Sequence, residues 1–112
     1  MPVSADAVRK VALALPDVTE APSYGTPGFK IRGKLFARLH QDGESLVIRV
    51  ELFERELLLQ TNPQVFFLTD HYAGHPWVLV RLSVVTPALL RQTLRQAWET
   101  AQTKPRKAAR RE

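Results

Sequence analysis

Apolar residues recur at every second position through Leu35, Ala37 and Leu39, and again through Leu46, Ile48 and Val50, on either side of Asp42-Gly43. Period-two spacing marks strands that bury one face. Asp-Gly is a preferred pair for a type I′ turn, because both central positions need positive φ. A two-residue turn there pairs Leu39 with Leu46, Ala37 with Ile48 and Leu35 with Val50, all apolar and all on one face. The opposite face receives Phe36 beside Arg49, Lys34 beside Glu51 and Arg38 beside Val47. A slip of one residue would mix the two sets, so the pattern specifies its own register.

The strands predicted here are Lys34–His40 and Ser45–Glu51, preceded by Phe29–Ile31. A two-residue turn at Arg32-Gly33 would force positive φ on a long side chain. A three-residue loop, Ile31-Arg32-Gly33 with Gly33 left-handed, is therefore expected. It sets Phe29 opposite Leu35 in the core and Lys30 opposite Lys34 outside. Trp77–Leu82 is a further strand, with Val78, Val80 and Leu82 inward and Trp77, Leu79 and Arg81 on the other face. Val65–Leu68 is a short β-prone run.

Three helices accompany these strands. Ser4 can cap the first, whose stripe is Val8, Val11, Ala12 and Leu15 and whose stop is Pro16. The second runs from Phe53 to Thr61 and halts at Asn62-Pro63. Thr86-Pro87 opens the third, where Leu90, Leu94, Ala97, Trp98 and Ala101 recur at helical spacing. Asp17 to Gly28 reads as a polar, Pro/Gly-rich connection. The order α-β-β-β-α-β-β-α predicts an α+β two-layer sandwich, a mainly antiparallel sheet with helices on one face. Leu35, Leu39, Ile48, Val50, Val80 and Trp98 should be buried, and Arg38 and Arg49 exposed.

Charge alters this picture at one end. The chain of 112 residues carries a formal +5. Residues 104–112 hold five bases against one acid, hence +4, which leaves +1 for residues 1–103. One domain over 1–103 with a basic, disordered tail over 104–112 is expected. A basic tail suggests polyanions. There are no cysteines, which excludes disulfides, thiolate catalysis and cysteine zinc sites. No apolar run reaches the roughly eighteen residues of a membrane span. The N-terminus lacks the basic-then-apolar pattern of a secretory signal, and a cytoplasmic location is expected.

The candidate binding surface is the outer sheet face, with Lys30, Lys34, Phe36, Arg38, Arg49, Trp77 and Arg81, joined by Lys104, Arg106 and Lys107 of the tail. Nucleic-acid binders place cations along phosphates and aromatic faces under bases. The alternative is a solvated face, with Arg49 packed on Phe36 and Lys34 satisfied by Glu51. His71 and His75 are four apart, but Gly74 and Pro76 argue for a loop. With only Asp70 and His40 as further ligands, no metal site is expected. Ser23, His71 and Asp70 make no triad, since adjacent Asp and His do not orient one another and Ser23 lacks a nucleophile elbow. Gly33 and Gly43 close hairpins and open no helix, so neither forms a phosphate loop. Leu57-Leu58-Leu59 and Phe66-Phe67 are core or self-association material.

Several words resemble the MmcQ/YjbR proteins: Tyr24-Gly25-Thr26-Pro27, Phe29, Gly33-Lys34-Leu35-Phe36-Ala37 and His71-Tyr72-Ala73-Gly74-His75-Pro76-Trp77-Val78. The likeness runs from about Leu15 to Ala101. It implies a CyaY-like, double-wing two-layer sandwich and a DNA-binding role, and it supplies no catalytic residue. The expectation is a non-catalytic DNA-binding protein without a cofactor. The alternative is a protein-interaction or small acidic-ligand module that uses the same face.

Overall fold

The Ser4 side chain accepts from the Ala7 amide at 3.1 Å and starts α1 (Ala5–Leu13). Thr86 does the same for Leu89, with Pro87 in the first turn, and starts α4 (Pro87–Gln102). Both caps satisfy amides that the first helical turn leaves without partners. Between them lie β1 (Val18–Ser23), β2 (Thr26–Ile31), β3 (Lys34–Leu39), β4 (Ser45–Arg49), α2 (Leu52–Thr61), β5 (Phe66–Phe67), α3 (Asp70–Ala73) and β6 (Trp77–Arg81). This computed structural model describes residues 3–23 and 25–103. The strands form one sheet in the order β1-β2-β3-β4-β6-β5, with every neighbouring pair antiparallel. The result is the two-layer α+β sandwich.

One sheet face packs under α1 and α4. Val8 and Ala12 of α1 and Leu90, Leu94, Ala97 and Ala101 of α4 share a core with Leu46, Ile48, Val78 and Val80. Leu58 and Leu59 of α2 pack against its edge. Ile48, Val50 and Val80 are buried as the pattern requires, while Leu39 and Trp98 are partly buried against the same core. The Trp98 indole N–H donates to the Pro16 carbonyl at 3.0 Å, tying α4 to the end of α1.

The β3–β4 register is the expected one, with Leu39 opposite Leu46, Arg38 opposite Val47 and Ala37 opposite Ile48. Its turn differs. The His40 amide donates to the Ser45 carbonyl and the Gly43 amide to the His40 carbonyl, so residues 41–44 form the loop. Only Gly43 takes positive φ there, at 74°. Asp42 instead accepts from the Glu44 amide at 2.8 Å, the Ser45 amide at 3.0 Å and the Ser45 hydroxyl at 2.9 Å. Both loops are centred between Asp42 and Gly43, which is why the pairing survives the change of turn.

The β2–β3 hairpin overturns its expectation. Arg32 and Gly33 both take positive φ, at 51° and 83°, and form a two-residue turn with Ile31 opposite Lys34. A primed turn matches strand twist, and that match outweighs a left-handed cost of about 1–2 kcal/mol at Arg32. The register then shifts: Lys30 faces Leu35, but Phe29 faces Ala37. Phe36 is the extra residue of a β-bulge, and a bulge re-aims the side chains around it. Phe36 and Ala37 both enter the helix-side core, fully buried. Leu35, expected in that core, turns to the other face.

β1 also corrects the reading. The stretch taken as a connection is an edge strand on β2, with Pro22 opposite Pro27. An edge position tolerates proline, whose missing N–H can face away from the ladder.

Candidate functional site

The second sheet face carries Arg38, Val47, Arg49, Trp77, Leu79 and Arg81, and it is not open. Val47, Leu79 and Tyr72 form a buried cluster there, with Phe67, Leu68 and Trp77 packed around it. Tyr72 belongs to α3, a single turn where a plain loop was expected, and it lays its ring over β4 and β6. Arg55 of α2 secures this cover. Its Nη1 donates to the carbonyls of His75 at 2.7 Å, Trp77 at 3.2 Å and Tyr72 at 3.3 Å, and its Nη2 to Ala73 at 3.0 Å. Arg55 is buried, and its Nε has no hydrogen-bond partner among the described residues.

Between the α3 segment and the β3–β4 hairpin lies a cavity of about 570 Å³. Leu35 and Arg38 line it from β3, Val47 from β4, and His40 and Gln41 from the hairpin end. His71, Tyr72, His75 and Trp77 line it from the other side. The chain contains three histidines, and all three meet here.

Arg38 is 5% exposed, where a solvent-facing cation was expected. Its Nη1 donates to Thr26 Oγ1 at 3.1 Å and to the Leu39 carbonyl at 3.2 Å, and its Nη2 donates to the Tyr72 hydroxyl. The rings of His71 and His40 stand edge-on to Tyr72, with centroids 4.7 Å and 6.3 Å away. His40 Nδ1 lies 3.4 Å from the Asp42 carboxylate. Burial works against charge on Asp42, but hydrogen bonds from Glu44 and Ser45, with His40 beside it, hold its pKa below the ordinary value.

The other predicted contacts disperse. Phe36 lies in the helix-side core and can stack on nothing outside. Arg49, also expected exposed, is half-buried. It donates to the Leu35 carbonyl at 3.0 Å and stacks over Trp77 at 4.7 Å, instead of over Phe36. Burial lowers its pKa from the ordinary arginine value. Arg81 is exposed but lies over Phe67 at 4.2 Å. Lys30 is half-buried and Lys34 exposed. Lys34 pairs with Ile31 across the hairpin, and no Lys34–Glu51 salt bridge forms among the described residues. Lys104, Arg106 and Lys107 lie outside the described residues. Among the described residues no three His, Asp or Glu side chains come together as a metal site.

Tyr72, Gln41 and Arg55 had no chemical role in the sequence reading. The signal for Tyr72 lay in the His71–Val78 word, which carried a resemblance but no stated chemistry. Arg55 sits in a helix that reads as charged surface, and only the fold brings the 72–77 carbonyls to it.

No curated protein matches the chain. Among solved structures, the crystal structure of Deinococcus radiodurans protein DR2400, a DUF419 domain, is similar. It superposes with a TM-score of 0.77 at 27% identity, over 93% of this chain and 83% of that one. The YjbR family model matches residues 13–100, which include every strand, the bulge and the whole lining of the cavity, and the chain therefore belongs to the YjbR family.

Proposed function

We propose that this protein binds a small organic anion in the cavity beneath α3, without turning it over. One observation carries the reading: a buried arginine and all three histidines line a single concavity whose remaining walls include Leu35, Val47 and Trp77. Concave, mostly apolar sites with a few convergent polar groups are where small ligands bind. Of the basic and aromatic residues that would have suited nucleic acid, Arg38 and Trp77 line this space and Phe36 lies in the helix-side core. The lack of cysteine fits the reducing cytoplasm, where we place the protein. No helix among the described residues is long and apolar enough to cross a membrane.

Thermal unfolding against a panel of aromatic and aliphatic carboxylates and phosphates tests the reading, since a ligand that binds only the folded state raises the midpoint. Arg38→Gln should abolish any shift. A panel with no shift in wild type at millimolar concentration would sink it.

DNA is a second reading, favoured by the +4 charge of residues 104–112. Phosphate contacts give a log–log salt slope of about −0.9 each. Removal of residues 104–112 should flatten that slope if the tail is the contact. DNA affinity indifferent to salt would exclude this reading.

A further inference from the structure

Resting on the anion-binding reading, we infer that the cavity selects a phosphate monoester over a carboxylate and loads protons onto its histidines as the ligand enters. Tyr72 is the centre of the argument. Its hydroxyl accepts from Arg38, so its own proton is left to donate to a ligand. The His71 and His40 rings both stand edge-on to Tyr72, while Arg38 comes from the sheet. These groups come from β3, from α3 and from the end of the β3–β4 hairpin, and the His71 and His40 rings are inclined to the Tyr72 ring by 89° and 63°. A carboxylate offers two coplanar oxygens to such an array. A phosphate monoester offers three, pointing along different directions.

Protonation adds a second reason. Free imidazole titrates near pH ~6.5, and the second ionisation of a phosphate monoester lies near ~6. Both groups change charge in the same range, so a proton gained by an imidazole beside a dianion stays there. Asp42, beside His40, is the nearest counter-charge on the hairpin side, and Asp70 precedes His71 on α3. Arg55 faces the carbonyl side of His75, from α2. A dianion arriving among these groups favours imidazolium, which donates from both nitrogens. Leu35, Val47 and Trp77 remain for the organic part of the ester, and about 570 Å³ is ample for a small one.

Calorimetric titration of the full chain with phenyl phosphate and with benzoate tests this. We expect phenyl phosphate to bind at least about tenfold tighter, since its dianion carries more charge and one more acceptor oxygen than benzoate for the same donors. Its affinity should fall about tenfold from pH ~6 to pH ~8, with proton uptake seen as a buffer-dependent heat near pH ~7. Tyr72→Phe keeps the ring in its apolar cluster and should cost about tenfold in phenyl phosphate affinity, while leaving the uptake in place. His71→Asn and His40→Asn should reduce the uptake. If both probes bind equally and no proton is taken up, this inference is wrong and the anion-binding reading stands. If neither binds, both are wrong.

Discussion

Arg55 Nη1 lies 2.7 Å from the carbonyl oxygen of His75, and this contact joins α2 to the segment that covers the second sheet face. With the carbonyls of Tyr72, Ala73 and Trp77, one guanidinium collects four carbonyls from a stretch of six residues. Four lining groups of the cavity, His71, Tyr72, His75 and Trp77, lie on or beside that stretch. Their placement depends on an arginine that does not line the cavity itself.

Arg55→Met should therefore lower stability by about 1.5–3 kcal/mol, the range for bonds to a charged donor. Methionine replaces most of the stem but leaves the carbonyls without their donor. Urea unfolding measures the loss, and limited proteolysis should show new cleavage within residues 70–76. A variant as stable and as protease-resistant as wild type would mean that other contacts hold the cover.

The bulge gives a second prediction. Phe36 is fully buried among the helix-side residues, whereas Leu35 is only partly buried and lines the cavity. Phe36→Ala should cost about 3–5 kcal/mol, as for other core aromatic truncations. Leu35→Ala should cost less and enlarge the cavity instead. The reverse order, read from denaturant midpoints, would restore the regular alternation.

That contrast shows what was legible and why. Alternation fixed the β3–β4 register because Leu39, Ala37, Leu46 and Ile48 segregate cleanly from Arg38 and Arg49. It failed at Leu35 and Phe36, since a period-two reading contains no inserted residue and both side chains are apolar. Swapping them costs no visible pattern. The orientation of Arg38 toward the outer face was read correctly, but its burial was not. The cover comes from a four-residue helix, too short for any periodicity and followed by Gly74 and Pro76, which signal a loop. Pro22 and Pro27 likewise disguised β1, because prolines facing one another at a sheet edge have the composition of a connection.

The tight turn at Arg32 invites a gain in stability. Arg32 holds φ of 51°, and its guanidinium makes a 3.5 Å, largely exposed contact with Asp17. Asparagine tolerates this region far better than arginine, and Asn-Gly is a favoured primed pair. Arg32→Asn should raise stability by about 0.5–1 kcal/mol, within the range seen for turn optimisation. An exposed ion pair contributes little to set against that. A lower unfolding midpoint in the variant would show that the Asp17 contact matters more than the backbone.

Asp42 makes a prediction about acid. Its folded pKa lies below the ordinary 3.8, because hydrogen bonds from Glu44 and Ser45 and the neighbouring His40 outweigh a burial effect of opposite sign. The unfolded chain then binds a proton more readily than the folded one, so folding favours the carboxylate. The stabilisation is fully present above the unfolded value, and it is lost as pH falls through the folded one. Asp42→Asn keeps an oxygen for the two amides but cannot ionise. At neutral pH it should be less stable than wild type by about 1 kcal/mol, because a charged acceptor bonds more strongly than a neutral one. That difference should hold steady down to the ordinary carboxylate range and shrink below it. Urea midpoints for the two proteins across an acid series supply the measurement. A difference that instead grows as pH falls would mean that Asp42 is raised, with burial dominating, and that the hydrogen bonds closing this hairpin do not favour its charge.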